Sequence, residues 1–300
     1  MSALDSPNHT PRDELEAKAL RATARADERA TGRRGWRPPA LLQFSAAVHC
    51  GALGLTAYQP HWWPWTLAAV LANQVSLVTA GLLPRSHLVG SNWTRLPTAA
   101  AAQGQIAITL DDGPNPDITP RALRILHEYG ARATFFCIGA QARRYPALLR
   151  ECVAAGHAIE NHSDSHPLNF SVLGPRRLER EIARAQDTLS TLSGQSPRFF
   201  RAPAGLRSPL LDLQLHRAGL QLASWTRRGF DTANGDPDRI FSRLTHNLGA
   251  GDILLLHDGH AAPTARGVPV SLEVLPRLLQ LLRARQLRTI TLREALPCPR

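Results

Sequence analysis

Two carboxylates stand side by side at Asp111 and Asp112, inside the run Thr-Leu-Asp-Asp-Gly-Pro from Thr109 to Pro114. Adjacent acids repel, and the pair is costly unless a cation or a strong donor lies close. A helix cap or an Asx turn is the plainer use of such a pair. Farther along, His162 and His166 stand four apart in His-Ser-Asp-Ser-His. One helical turn would set both imidazoles on one side, as a metal-ligand pair requires. Pro167 disfavours helix at His166, so a tight loop is the alternative means to that end. Two histidines and a carboxylate with open positions suit a divalent transition metal such as Zn²⁺, with Co²⁺, Fe²⁺ or Ni²⁺ also compatible. His127, His157, His216 and His246 fall on predicted helices or at element ends and read as structural or solvated.

The elements that must position these groups alternate strand and helix from about residue 103. Strands are predicted at Gln105–Leu110, Ala133–Ile138, His157–Glu160, Arg198–Arg201, Leu220–Trp225, Asp252–His257 and Arg288–Thr291. Helices between them open at proline: Thr119 caps one with Pro120 in its first turn, and others start near Pro146, Pro175, Pro209 and Pro237. A last helix runs from Ser271 to Ala284. Such alternation predicts an α/β fold with a parallel sheet of seven strands, able to close into a barrel. In that register Asp111 and Asp112 follow strand one, and His162 and His166 follow strand three. Arg201 ends strand four, Asp231 follows strand five and His257 ends strand six. All are carboxyl ends of strands, the face on which barrel active sites form.

Five segments carry a resemblance to a known family: Thr109–Pro114, His162–His166, Arg-Ala-Pro-Ala-Gly (Arg201–Gly205), Trp225–Asp231 and Leu-Leu-His (Leu255–His257). In this order and spacing they resemble the polysaccharide deacetylases of carbohydrate esterase family 4, which include the nodulation-type chitooligosaccharide deacetylases. The resemblance spans about residues 103 to 292. It implies a distorted (β/α) barrel of about seven parallel strands and a metal-dependent hydrolase that removes an N-acyl group from an amino sugar. It implies roles as well: Asp111 as general base, and Asp112 with His162 and His166 as metal ligands. Arg201 would hold the Asp111 carboxylate, and His257 would be the general acid with Asp231 orienting it. Trp225 would pack beneath His257, and the backbone N–H of Ala204 would face the oxyanion.

Two departures bear on the substrate. The third motif of the family often carries Tyr or Phe where this chain has Ala204, and the fourth usually continues with Trp where it has Thr232. The first removes an aromatic wall of the sugar subsite, and both leave the chemistry intact while weakening the case for polysaccharide binding. Arg227 and Arg228 precede Asp231, and together these changes suit a smaller or anionic substrate. The alternatives are a deacylase or deformylase of polyprenyl-phosphate-linked amino sugars, and a catalytically silent sugar-binding protein.

The formal charge of +11 comes almost wholly from arginine, Lys18 being the only lysine. No basic run is interleaved with aromatics, so a nucleic-acid partner is not expected. Between Arg37 and Arg85 there is no charged residue, and Gln59, Pro60, His61 and Pro64 interrupt the run. Each half is long enough to cross a hydrocarbon core, with Tyr58, Trp62, Trp63 and Trp65 clustered at the break. This predicts a helical, transmembrane hairpin, against the alternative of a buried hairpin. Basic residues from Arg12 to Arg37 before it, and Arg85 and Arg95 after it, predict both ends on the cytoplasmic side of a bacterial inner membrane. The expected division is a polar tail at 1–38, the hairpin at 39–84, a linker at 85–102 and the catalytic domain at 103–296. Cys50, Cys137, Cys152 and Cys298 are far apart and read as free thiols.

Overall fold

The computed structural model describes residues 35–296. Residues 1–34 of the polar tail and Cys298 lie outside the described residues. Eight parallel strands form the sheet: β1 (Gln105–Asp111), β2 (Ala133–Cys137), β3 (Ala158–Asn161), β4 (Phe199–Phe200), β5 (Gln221–Leu222), β6 (Arg227–Arg228), β7 (Ile253–His257) and β8 (Arg288–Thr289). Seven run in the order β5-β4-β3-β2-β1-β7-β6, and β8 pairs with the first residues of β1. This is the distorted parallel barrel of about seven strands that the pattern predicts.

Strand alternation separates two cores. In β1, Ile106, Ile108 and Leu110 point outward into the layer beneath the helices, while Ala107 faces a second cluster with Phe136, Phe199 and Ile253. Thr109 and Asp111 share the inner phase of Ala107. The pairing of β1 with β7 sets Thr109 against Leu255 and Asp111 against His257. A period of two therefore delivers the end of β1 and the end of β7 to one mouth.

The predicted fifth strand splits. Gln221–Leu222 pairs with β4, and Arg227–Arg228 pairs with β7. Between them the barrel wall is completed by the segment that follows the hairpin. Trp93 N–H donates to Leu222 O, Ser224 N–H to Trp93 O, and Leu96 N–H to Gly251 O. Ser224 spends its N–H on that insert, and the carbonyls of Ala223 and Ser224 accept from the Arg201 side chain, which ends regular pairing there. A short helix at Gly139–Arg144 is an addition to the predicted set. Thr119 also differs from its predicted use as a cap. It lies inside the helix Thr119–Glu128, and its hydroxyl donates to Asp258 Oδ2 at 2.5 Å.

The two apolar helices span Ala40–Tyr58 and Trp63–Leu82, joined by a 3₁₀ turn at Pro60–Trp62. Their polar side chains face each other: Asn73 Nδ2 donates to Ser45 Oγ at 2.8 Å, the hydroxyls of Thr56 and Thr66 are 2.7 Å apart, and Gln74 meets His49. Leu53, Leu67, Leu71, Val75 and Val78 point away from the molecule, exposed.

The second helix runs straight into the barrel. Arg207 N–H donates to Gly81 O, the Arg207 guanidinium donates to Leu83 O and Ser86 O, and the Ser224 hydroxyl donates to Pro84 O at 2.6 Å. Gly205, with φ of +76°, packs so closely that a Cβ there would overlap the Trp225 ring and Pro84. Only glycine meets both demands. The helical hairpin thus ends against the Arg201–Gly205 loop.

Candidate active site

Asp111 follows β1 into a pocket of about 290 Å³ at the carboxyl ends of the strands. Arg201, just past β4, is 1% exposed and spends its donors inside the barrel. Nη1 donates to Asp111 Oδ1 at 2.6 Å and to Thr109 Oγ1 at 2.7 Å; Nε donates to Ala223 O and Nη2 to Ser224 O. The guanidinium is fixed by backbone and aims its charge at Asp111.

On the opposite wall His257 ends β7. Its Nδ1–H donates to Asp231 Oδ1 at 2.8 Å, and its backbone N–H donates to Asp231 Oδ2 at the same distance. Burial alone would lower the His257 pKa, but the negative charge of fully buried Asp231 overcomes it and the net shift is upward. The fixed Nδ1–H leaves Nε2 as the ring atom free to act.

Asp112, His162 and His166 come together between these groups, with one ligand atom of each within 4.8 Å of the others. His162 Nδ1 donates to Arg201 O at 2.9 Å, which turns Nε2 toward Asp112 Oδ1 at 3.3 Å. His166 Nε2 is 3.4 Å from the same oxygen, and that oxygen is buried without a hydrogen-bond partner. Burial and the nearby His162 lower the His166 pKa to about 4, so its ring is neutral with a lone pair to offer. Burial would raise the Asp112 pKa, but the His162 and His260 rings beside it hold it well below the usual carboxylate range. An orphaned carboxylate oxygen facing two imidazole nitrogens, one oriented from behind by a carbonyl, is a donor set that fits a divalent metal.

The loops pay in backbone strain for this placement. Asp112, Ser163, His166 and Ala204 all have positive φ, at 76°, 65°, 50° and 54°. Non-glycine residues in that region concentrate at functional sites. The two histidines therefore meet through a tight loop rather than a helical turn, in keeping with Pro167.

The remaining predicted positions divide. Ala204, Trp225 and Arg228 line the pocket, as does Thr232. Arg227 does not line it. Its Nε donates to Asp252 Oδ2 at 2.7 Å and its Nη2 donates to Asn247 O, a structural ion pair beside the pocket. The sequence reading missed His260, whose Nδ1 lies 3.1 Å from Asp112 Oδ2. Its signal is a histidine in the loop that leaves β7. Asp258 was missed too: burial pushes its pKa up to about 7 against the hydrogen bond from Thr119.

Guanidinium groups and rings alternate outward from the pocket. The column runs Phe136, Arg201, Trp225, Arg228, Phe230, Arg243, with successive guanidinium-to-ring distances of 4.0, 5.9, 5.2, 4.9 and 5.2 Å.

The polysaccharide deacetylase family model matches residues 99–223. A chitooligosaccharide deacetylase of Azorhizobium caulinodans is 39% identical over 158 residues, covering 52% of this chain and 75% of that protein. The chain belongs to the polysaccharide deacetylase family. A peptidoglycan-N-acetylglucosamine deacetylase of Bacillus cereus is 36% identical over 175 residues, covering 58% of this chain and 81% of its own. Among solved structures, a peptidoglycan N-acetylglucosamine deacetylase in complex with an N-oxidanyl benzamide superposes with a TM-score of 0.62 at 25% identity, covering 68% of this chain and 92% of that one. As a polysaccharide deacetylase the chain is a hydrolase of non-peptide carbon–nitrogen bonds.

Proposed function

We propose that the chain removes an N-acyl group, acetyl above all, from an amino sugar in a glycan or glycolipid. One observation carries this reading. A carboxylate paired with a buried guanidinium and an imidazole charged by a buried carboxylate open on one pocket with an Asp–His–His ligand set. The names of the two relatives, deacetylases of chitooligosaccharide and of peptidoglycan N-acetylglucosamine, support the substrate class.

Asp112, His162 and His166 would hold the metal, Zn²⁺ being the best match, and when bound it supplies a Lewis acid for the acyl oxygen and lowers the pKa of water. Asp111 takes the proton of the attacking water, and Arg201 holds that carboxylate in place through its 2.6 Å contact. The Ala204 N–H offers a donor to the oxyanion that develops on the acyl carbon. His257 Nε2 delivers a proton to the leaving nitrogen, with Asp231 stabilising the imidazolium until it does so. The carbon–nitrogen bond breaks, the acid leaves as carboxylate and the sugar keeps an amine.

The hairpin at 39–84 anchors this domain in a bilayer, with the polar tail 1–38 before it, the linker 85–102 after it and the catalytic domain at 103–296. An outward apolar face with the Ser45–Asn73 and Thr56–Thr66 pairs turned inward supports the anchor. The arginine bias at its ends supports a cytoplasmic-facing domain at the bacterial inner membrane.

The test is acetate release by the full chain, purified in detergent and loaded with Zn²⁺ or Co²⁺. The substrates are N-acetylated chito-oligosaccharides and an alkyl N-acetylglucosaminide. Turnover that a chelator removes and added metal restores is expected. No release from either substrate by chain that has taken up its metal rejects deacylation.

A further inference from the structure

A second cavity, of about 720 Å³, adjoins the catalytic pocket and shares Trp225 and Arg228 with it. Its walls carry Arg85, Arg228, Arg243 and His246, and no carboxylate lines it. Arg227 also borders it, but it is paired with Asp252, which it shares with Arg95. Among the described residues, Arg85, Arg228 and Arg243 form no ion pair. Arg228 Nε is buried without an acceptor, although the side chain is held between the rings of Trp225 and Phe230. Phe230 is 46% exposed and has a strained φ of +63°, and the guanidinium groups of Arg228 and Arg243 both lie over its ring. Guanidinium groups stacked on aromatic rings are pre-organised, and with open donors they are made for phosphate.

The position of the cavity narrows the ligand. Its far wall is Pro84 and Arg85, the residues that leave the apolar hairpin. Leu82 and Leu83, one step back, are exposed. An anion seated here has the catalytic pocket on one side and an apolar surface on the other. In a 2-acylamino sugar the anomeric carbon is bonded to the carbon that bears the nitrogen. A phosphate on the anomeric oxygen therefore lies beside the scissile amide, as the second cavity lies beside the first.

We propose that the substrate is an N-acylated amino sugar joined through phosphate to a membrane lipid, and that Arg228, Arg243 and Arg85 bind that phosphate. The proposal rests on the deacylation reading and names its substrate class. The open donor on Arg228, the carboxylate-free walls and the shared side chains are what carry it.

The test uses the full chain, metal-loaded, in phosphatidylcholine vesicles. Two synthetic substrates share one alkyl chain and one N-acetylglucosamine, joined with or without an intervening phosphate. Acetate release and direct binding are measured for both. The phosphate-linked compound is expected to have a kcat/KM at least tenfold higher and to bind at least tenfold tighter. In the R228Q/R243Q double variant both ratios are expected to fall toward one. Equal kcat/KM for the two compounds in the unaltered chain overturns the phosphate site and leaves deacylation standing. No turnover of either compound rejects deacylation; the binding ratio then decides the phosphate site alone, and equal affinity overturns it. Repeating the assay with phosphatidylglycerol in the vesicles separates the two sources of phosphate. If the tenfold preference disappears there, the cavity belongs to the phospholipid headgroup and the substrate assignment is wrong.

Discussion

Arg201 reaches Asp111 from the far side of the barrel, and the two side chains form a 2.6 Å ion pair at 1% and 4% exposure. Three other acceptors, Thr109 Oγ1 and the carbonyls of Ala223 and Ser224, hold the guanidinium there. Replacing Arg201 by Met leaves Asp111 buried with no cation beside it. Loss of one partner from such a pair costs about 3–5 kcal/mol. Arg201→Met is therefore expected to lower folding stability by that order in urea titrations.

Asp111→Asn keeps shape and metal donors and removes the base. Turnover should fall about 10²–10⁴-fold, while metal content, measured by atomic absorption, stays at the level of the unaltered chain. Undiminished turnover would remove Asp111 from the mechanism.

Asp231→Asn tests the acid. The Asp231 charge is what raises the His257 pKa against burial. Without it the imidazolium loses its proton at lower pH. The alkaline limb of the pH–rate profile is expected to move down, with the acid limb in place. An unmoved alkaline limb would assign the acid to another group.

His157, far from the site, makes stability depend on pH. Burial and then Arg132 push its pKa down to about 4, and Ala133 N–H donates to its Nδ1, so the fold holds the ring neutral. The unfolded chain takes a proton near the ordinary value of 6.5. Stability is thus complete above that value and is lost as pH falls toward 4, by about 2–3 kcal/mol between pH 7 and 4.5. The same pair of urea titrations on His157→Gln should show a loss smaller by that amount.

Leu71 and Val75 lie on the outward face of the second apolar helix. Arginine or lysine at the centre of a spanning helix costs about 2.5–3.5 kcal/mol per residue. L71R/V75K is expected to lose its retention in carbonate-washed membranes. A hairpin that works in water would lose nothing by the change.

Most of the barrel and its site was legible because both depend on short-range pattern. The strand period of two carried Asp111 and His257 to one face, and proline marked most helix starts. Pairing across long distances was not legible. Trp93 takes the place of a neighbour at Ala223, more than a hundred residues away, and no local signal announces it. That pairing split the predicted fifth strand. Arg227 and Arg228 looked equivalent in the sequence, but adjacent strand residues point to opposite faces. One meets Asp252 and the other the pocket. The inward turn of Ser45, Thr56, Thr66 and Asn73 was equally hidden, since composition counts polar residues without saying which way they face.

The seam filled by residues 92–96 sets the order in which the molecule can be finished. Those residues leave the ribosome early, yet their partners are Leu222, Ser224 and Gly251. Contacts of such separation are the slowest to form. The barrel must wait for nearly its whole length before it can seal, and the piece that seals it arrives already attached to the apolar hairpin. Shortening the chain to begin at residue 97 would remove the closing piece along with the anchor. The fragment would have a complete set of site residues around a wall with a gap in it.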